Sequence, residues 1–198
     1  MLAIDFPGSR RLIDTLDCAV RKECETAITD ALRLGLCRLM QNKEVELPEC
    51  VFQANADHYA RRELYNSEEL GYSVMAMTWG PGQGTPIHDH CGMWCVEGVW
   101  HGQIEVSPHE LVERRDNLFR FESRGTMLAG PGSAGSLIPP HEYHIIRNPS
   151  EDANAVSLHI YRGPMNSCSV FRRVDDDWHA RDLRQLALDR IDGKLPGA

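Results

Sequence analysis

The chain has 198 residues, 42% of them hydrophobic, and a formal net charge of −8. That size and apolar share support a well-filled core, and the acidic balance disfavours a general nucleic-acid-binding surface. No apolar run approaches the roughly 18 residues of a membrane span. The opening MLAIDFPGSRR lacks the features of a secretion signal, so a cytoplasmic protein with no membrane partner is expected.

Between Arg10 and Met40 the apolar residues recur at helical spacing: Leu12, Leu16, Ala19, Val20, Cys24, Ala27, Ile28, Ala31 and Leu32 mark one face. One or two helices are expected in an extension spanning about 8–45, with Gly35 ending or breaking the run. From about Tyr72 the period changes to two. Tyr72, Val74, Ala76 and Thr78 alternate with Ser73, Met75, Met77 and Trp79. Short strand-like runs follow between Gly, Pro and Asn turns: Trp94–Trp100, Gln103–Val106, Phe119–Phe121, Ser136–Ile138, His144–Arg147, Val156–Tyr161 and Ser169–Val174. Such strands, over about 50–178, predict a β-barrel or sandwich. Asp182–Ile191 reads as a short peripheral helix.

The seven cysteines are Cys18, Cys24, Cys37, Cys50, Cys91, Cys95 and Cys168. Their odd count, irregular spacing and lack of a CxxC pair argue against a disulfide framework or a zinc knuckle. Two of them fall in GPGQGTPIHDHCGMWCVEGVWHG, Gly80–Gly102, beside His88 and His90. Alternate residues of an extended strand share a face, so both imidazoles can reach one ion. His144, in PPHEYHIIRN, can join them through barrel closure. Neutral imidazoles suit iron, copper, nickel and zinc; the bland alternative is that these histidines merely populate polar turns. Alternation turns Cys91 away from such an ion and makes it a packing or surface thiol.

The spacing Gly82, five residues, His88, one residue, His90, then Gly102 resembles the first motif of the cupin superfamily. His144, three residues, Asn148 is similar to the end of the second. The motif's glutamate falls at position 95, occupied by Cys95, and the glycine before its last histidine is replaced by His141. Three histidines without that glutamate resemble the thiol dioxygenases, the cysteine dioxygenase family. YARRELY at Tyr59–Tyr65, WGPGQGTPIHDH at Trp79–His90, SLHIY at Ser157–Tyr161 and CSVF at Cys168–Phe171 extend the resemblance over roughly Tyr59 to Arg173.

The resemblance implies a mainly β fold: a cupin double-stranded β-barrel, or small jelly roll, with N-terminal helices and a short C-terminal helix. It implies Fe(II) held by His88, His90 and His144. Three neutral imidazoles leave the ion its full charge, which suits a substrate bound as thiolate. The implied reaction adds both atoms of dioxygen to the sulfur of a small thiol carboxylate. L-Cysteine is the leading substrate; 3-mercaptopropionate or mercaptosuccinate are alternatives, and a non-catalytic cupin that senses a small ligand is a third reading. Arg61 takes the substrate carboxylate, with Tyr59 matching the family tyrosine; Arg62, or Arg172 or Arg173 later in the chain, are alternatives. Ser157 and His159 orient the Tyr161 hydroxyl, and Trp79 and Trp94 form apolar wall. Cys95 either fills space or links covalently to Tyr161. A monomer or weak homo-oligomer is expected.

Overall fold

In the computed structural model, which describes residues 1–191, the helical run is two helices, α1 (Ser9–Val20) and α2 (Glu25–Gln41). Leu12, Leu16 and Ala19 are buried on one face of α1, and Leu32, Leu36 and Leu39 on one face of α2. Each such leucine contributes about 1.5–3 kcal/mol. Gly35 neither ends nor breaks α2. A Cβ there would lie 2.8 Å from Thr15 Cγ2, so the missing side chain lets the two helices touch.

Twelve strands follow among the described residues. They are β1 (Ala60–Ser67), β2 (Tyr72–Trp79), β3 (Ile87–His88), β4 (Cys95–His101), β5 (Ile104–Arg115), β6 (Leu118–Ser123), β7 (Met127–Ala129), β8 (Ala134–Leu137), β9 (His144–Arg147), β10 (Ala155–Tyr161), β11 (Ser167–Arg173) and β12 (Trp178–Gln185). They form two antiparallel sheets, ordered β1-β2-β10-β4-β8 and β6-β12-β11-β3-β9-β5-β7. The long β5 pairs with β7 and β9 through its first half and with β6 through its second.

Alternation divides the first sheet cleanly. Val74, Ala76, Val96, Val156, Leu158 and Ile160 pack under the helices. Gly98 lets α2 lie directly on β4, since a Cβ there would meet Met40 Cε at 3.2 Å and Leu36 Cδ1 at 3.3 Å. The other face sends Met75, Met77, Trp79, Cys95, Val99 and Tyr161 into the barrel, against Ile104, Ile146 and Cys168 of the second sheet. No helix among the described residues is long and apolar enough to cross a membrane.

The double-stranded barrel and N-terminal helices are as expected. The C-terminal helix is not. Asp182–Gln185 belongs to β12, which pairs with β11 from Ser167↔Gln185 to Arg173↔His179. Beyond it, the Leu186 N–H donates to Asn166 O and the Asp189 N–H to Arg61 O. These backbone bonds to neighbouring strands and loops override the local helical spacing. Leu183 is 65% exposed. The segment is not peripheral either, because Leu186 and Leu188 pack against the barrel's inner cluster.

Candidate metal centre and substrate pocket

His88 on β3 and His144 on β9 are register partners. His90 lies in the turn just beyond β3, where Asp89 Oδ1 accepts the N–H groups of Cys91 (3.1 Å) and Ser169 (2.8 Å). Ring centroids are 4.4 Å apart for His88–His144, 5.4 Å for His88–His90 and 5.2 Å for His90–His144. One nitrogen from each lies within 4.8 Å of the others. His144 Nδ1 lies 2.8 Å from Glu142 O and His88 Nδ1 3.2 Å from Pro86 O. A carbonyl only accepts, so each Nδ1 carries the proton and each Nε2 presents a lone pair.

His90 is braced by Glu142, which sequence reasoning missed. The buried carboxylate accepts the His90 backbone N–H at 2.9 Å and lies 3.5 Å from Nδ1. His90 Nε2 and His144 Nε2 are buried with no hydrogen-bond partner. Such atoms are costly unless something fills the gap, and a cation among three imidazoles would do so. Burial, then the neighbouring imidazoles, holds His88 well below the usual histidine range. Burial lowers His90 too, against the pull of Glu142. Both are therefore neutral; burial works the same way on His144, but the Glu97 carboxylate beside it outweighs burial and raises it, and as a set the three rings fit a divalent transition metal.

A carboxylate also stands in this site, which corrects the expectation of a centre without one. Glu97 follows Cys95 by two residues on β4, so alternation turns both inward. Its Oε1 is 3.2 Å from His144 Nε2, 3.2 Å from His159 Nδ1 and 4.0 Å from His90 Nε2. Burial alone would raise its pKa, but His159 and His144 bring it well below the usual carboxylate range. The signal was present: the strand expected over Trp94–Trp100 puts positions 95 and 97 on one face.

On β10, Ser157, His159 and Tyr161 share the inner face, all buried. Trp79 Nε1–H donates to Ser157 Oγ at 2.9 Å, Ser157 Oγ is 2.7 Å from His159 Nε2, and His159 Nδ1 is 3.3 Å from the Tyr161 hydroxyl. Cys95 and Tyr161 are register partners across β4 and β10. Burial, then the Glu97 charge, pushes the Cys95 thiol well up, while a hydrogen bond from Tyr161 pulls the other way. Cys168 is buried nearby, and burial pushes its thiol up to about 11. Cys91 is exposed, as expected. Tyr59 stacks on Trp79 at 4.6 Å, whereas Trp94 packs into the core under the helices and forms no pocket wall.

The arginines separate sharply. Arg61 is buried and lines the same space as His88, His90 and Tyr161. Its Nη1 donates to Ala187 O and its Nη2 to Met165 O, while its buried Nε has no partner. Among the described residues no carboxylate pairs with that guanidinium. Arg62 is different: it is tied to Arg190 O, Thr78 Oγ1 and Gln53 O, and acts as a structural strut. Arg172 and Arg173 point to solvent, paired with Asp182 and Asp176, so neither reaches the pocket. His141 is exposed and away from the histidine trio. Arg184, exposed on β12 opposite Cys168, lies close enough to Tyr59 for its charge to act on that hydroxyl.

Two spaces meet at His159 and Ile146. One, about 20 Å³, is lined by Tyr59, Arg61, His88, His90 and Tyr161. The other, about 280 Å³, runs between Val99, Ile104, Val106, Ala129 and Leu137 and ends at Glu97 and Ser157.

Residues 30–174 match the family model described as cysteine dioxygenase type I. The chain is 28% identical over 119 residues to cysteine dioxygenase type 1 of Danio rerio, covering 60% of this chain and 59% of that one. It is 24% identical over 134 residues to the Homo sapiens enzyme of the same name, covering 67% and 66%. The matched region thus spans about 60% of the length of the Danio relative. A double-stranded β-helix protein from Klebsiella pneumoniae is similar in structure, with a TM-score of 0.46 and 11% identity over 63% of this chain and 94% of that one. With the family model covering most of its barrel, the chain belongs to the cysteine dioxygenase family.

Proposed function

We propose that the protein is a non-haem Fe(II) thiol dioxygenase that adds both atoms of dioxygen to the sulfur of a small thiol carboxylate. L-Cysteine, giving cysteine sulfinic acid, is the first substrate to test. One observation carries the reading: imidazoles presenting lone pairs share a buried space with a guanidinium that has no carboxylate against it. The reaction balances without a further reductant, since one thiol and one dioxygen give one sulfinic acid. Fe(II), held by His88, His90 and His144, supplies a Lewis acid that depresses the thiol pKa and a redox partner for dioxygen.

The chain's own groups bind and orient. Arg61 grips the carboxylate with a fork that two backbone carbonyls already hold in place. Its reach sets the distance from carboxylate to sulfur, a proximity effect. Tyr59 and Trp79, stacked, exclude water on one side. His159 fixes the Tyr161 hydroxyl, which donates a hydrogen bond toward the reacting sulfur. Cys95 and Tyr161 form a thioether during turnover: the S–H and a ring C–H lose two electrons and two protons to dioxygen, which leaves as hydrogen peroxide. Their register pairing supports this. The link tunes the pocket and does not enable the reaction.

Arg184 beside Tyr59 keeps mercaptosuccinate, with its second carboxylate, in the substrate panel, and 3-mercaptopropionate asks whether the amine matters. The test is iron-loaded protein with each thiol, following oxygen consumption and detecting sulfinate by mass spectrometry. One sulfinate per dioxygen is expected. Tight metal binding with no oxygen uptake on any of the three thiols would replace this reading with a ligand-sensing cupin.

A further inference from the structure

Glu97 has no part in the three-histidine reading, yet it holds the centre of the site. On β4 its neighbours Val96 and Gly98 face the helices, so its side chain is committed to the barrel interior, 13% exposed. Oε1 comes within 3.2 Å of His144 Nε2 and 4.0 Å of His90 Nε2. The carboxylate raises the His144 pKa, yet neither buried nitrogen is aligned for a hydrogen bond to it. A carboxylate oxygen and an imidazole lone pair this close, and not aligned on each other, converge on a third point. Two donor atoms each about 2.1 Å from one ion, at right angles, sit about 3 Å apart.

The remaining contact of Oε1 shows what holds it there. Trp79 Nε1 can only donate, and it donates to Ser157 Oγ. The Ser157 proton then goes to His159 Nε2, 2.7 Å away. With Ser157 donating to Nε2, His159 presents an Nδ1–H, which lies 3.2 Å from Glu97 Oε1 and 3.3 Å from the Tyr161 hydroxyl. The Trp79–Ser157–His159 chain ends on the carboxylate as well as on the tyrosine. Metal-ligating carboxylates are held by this kind of outer hydrogen bond.

We infer that Glu97 is a fourth protein ligand of the metal centre, oriented by the Trp79–Ser157–His159 chain. This rests on the iron reading above and narrows it. One carboxylate cancels one of the two charges that three neutral imidazoles leave on the ion. A fourth protein ligand would also leave fewer positions on the ion for substrate atoms. The substrate would then be held by its sulfur and by Arg61, and an α-amino group would not be required for binding. The substrate class becomes thiol carboxylates recognised by sulfur and by Arg61, with or without an amine.

The experiment titrates apo wild type and Glu97→Gln anaerobically with Co(II) and Fe(II), reading affinity and the visible Co(II) spectrum. Glu97→Gln should bind at least about tenfold more weakly, with a displaced Co(II) spectrum, and wild type should show a carboxylate infrared band that moves on loading with Co(II). The wild-type enzyme should turn over 3-mercaptopropionate and cysteine with kcat/KM values within tenfold. Wild type that binds neither metal overturns the iron reading beneath the inference. Wild type that binds, with affinity and spectrum unchanged in Glu97→Gln, overturns the Glu97 ligand alone. If Glu97→Gln fails to fold, an unmoved carboxylate band in wild type overturns it instead.

Discussion

The two spaces that meet at His159 and Ile146 differ in nearly every respect. The smaller, about 20 Å³, holds Arg61, the histidines and Tyr161. The larger, about 280 Å³, is walled mostly by aliphatic side chains. Volume alone would place the chemistry in the larger. Polar atoms without hydrogen-bond partners place it in the smaller: His90 and Arg61 line that space, and His144 packs against His88 and His90 beside it. A space of about 20 Å³ has room for about one water, so a thiol acid enters only as side chains shift. The lesson is that a catalytic pocket before substrate arrives is marked by buried groups that lack partners, whatever its size.

The largest effect should come from breaking the small space at its centre. His144→Ala should lose most bound iron and lower turnover by at least about 100-fold, read by metal analysis and oxygen uptake. Wild-type iron content and rate in this variant would remove the histidine trio from the reaction. Next comes Arg61. Arg61→Ala should raise KM for cysteine by on the order of 30-fold or more, the low end of the 2–5 kcal/mol for losing one partner of a desolvated charge pair. Arg172→Ala, on the outer surface, should stay within about twofold. Arg62→Ala should act on stability, because it strands Gln53 O, Thr78 Oγ1 and Arg190 O. A loss of about 2–3 kcal/mol is expected, hence a fall in Tm of about 4–12 °C, with KM little changed. If Arg62→Ala and Arg61→Ala exchange these signatures, the carboxylate site has been put on the wrong side of β1.

The difference between Arg61 and Arg172 also measures what the sequence can carry. His88 and His90 were legible from their one-residue spacing, although β3 ends at His88 and His90 joins it from the turn beyond, and the motif supplied His144. Glu97 was legible by the same alternation, but the motif directed attention to position 95, two residues early. Arg61 came ahead of Arg172 by the resemblance alone, since the strand pattern does not rank them. Which face of a strand is inside depends on its partner, and the register of β11 against β12 is not written in either strand alone. Asp182–Ile191 was misread for a similar reason: its backbone is held by Asn166 and Arg61, far away in sequence. Glu142 gave no signal, since a carboxylate beside a histidine in a turn is ordinary until it is found buried.

A subtler test sits on the wall of the small space. Cys95→Gly should leave part of the activity and full iron content, while removing any Cys95–Tyr161 peptide, two hydrogens lighter than its parts, seen after aerobic turnover with cysteine. Cys95 is buried beside Tyr161, so unlinked Cys95 should alkylate only after denaturation. If all of it alkylates in denatured protein after many turnovers, the link does not form. Complete loss of activity in Cys95→Gly would instead make the residue indispensable and the tuning role wrong.

The smallest expected effect concerns the large space, and it decides what that space is for. Ala129 on β7, opposite Ile104, lines it away from the histidines. Ala129→Leu adds three methylene-sized groups to a cavity of about 280 Å³. Filling apolar space without forcing neighbours apart is usually neutral or mildly stabilising. If the thiol sits wholly on the Arg61 side, KM for cysteine should stay within about twofold and iron content should not change, because no wall of the small pocket moves. Tm should hold or rise by about 2–4 °C, the equivalent of roughly 1 kcal/mol. A tenfold rise in KM for a thiol, with Tm and iron intact, would mean that the substrate reaches past His159 into the aliphatic space. The physiological thiol would then carry an apolar tail, and cysteine and 3-mercaptopropionate would both be too short for the site they were assigned.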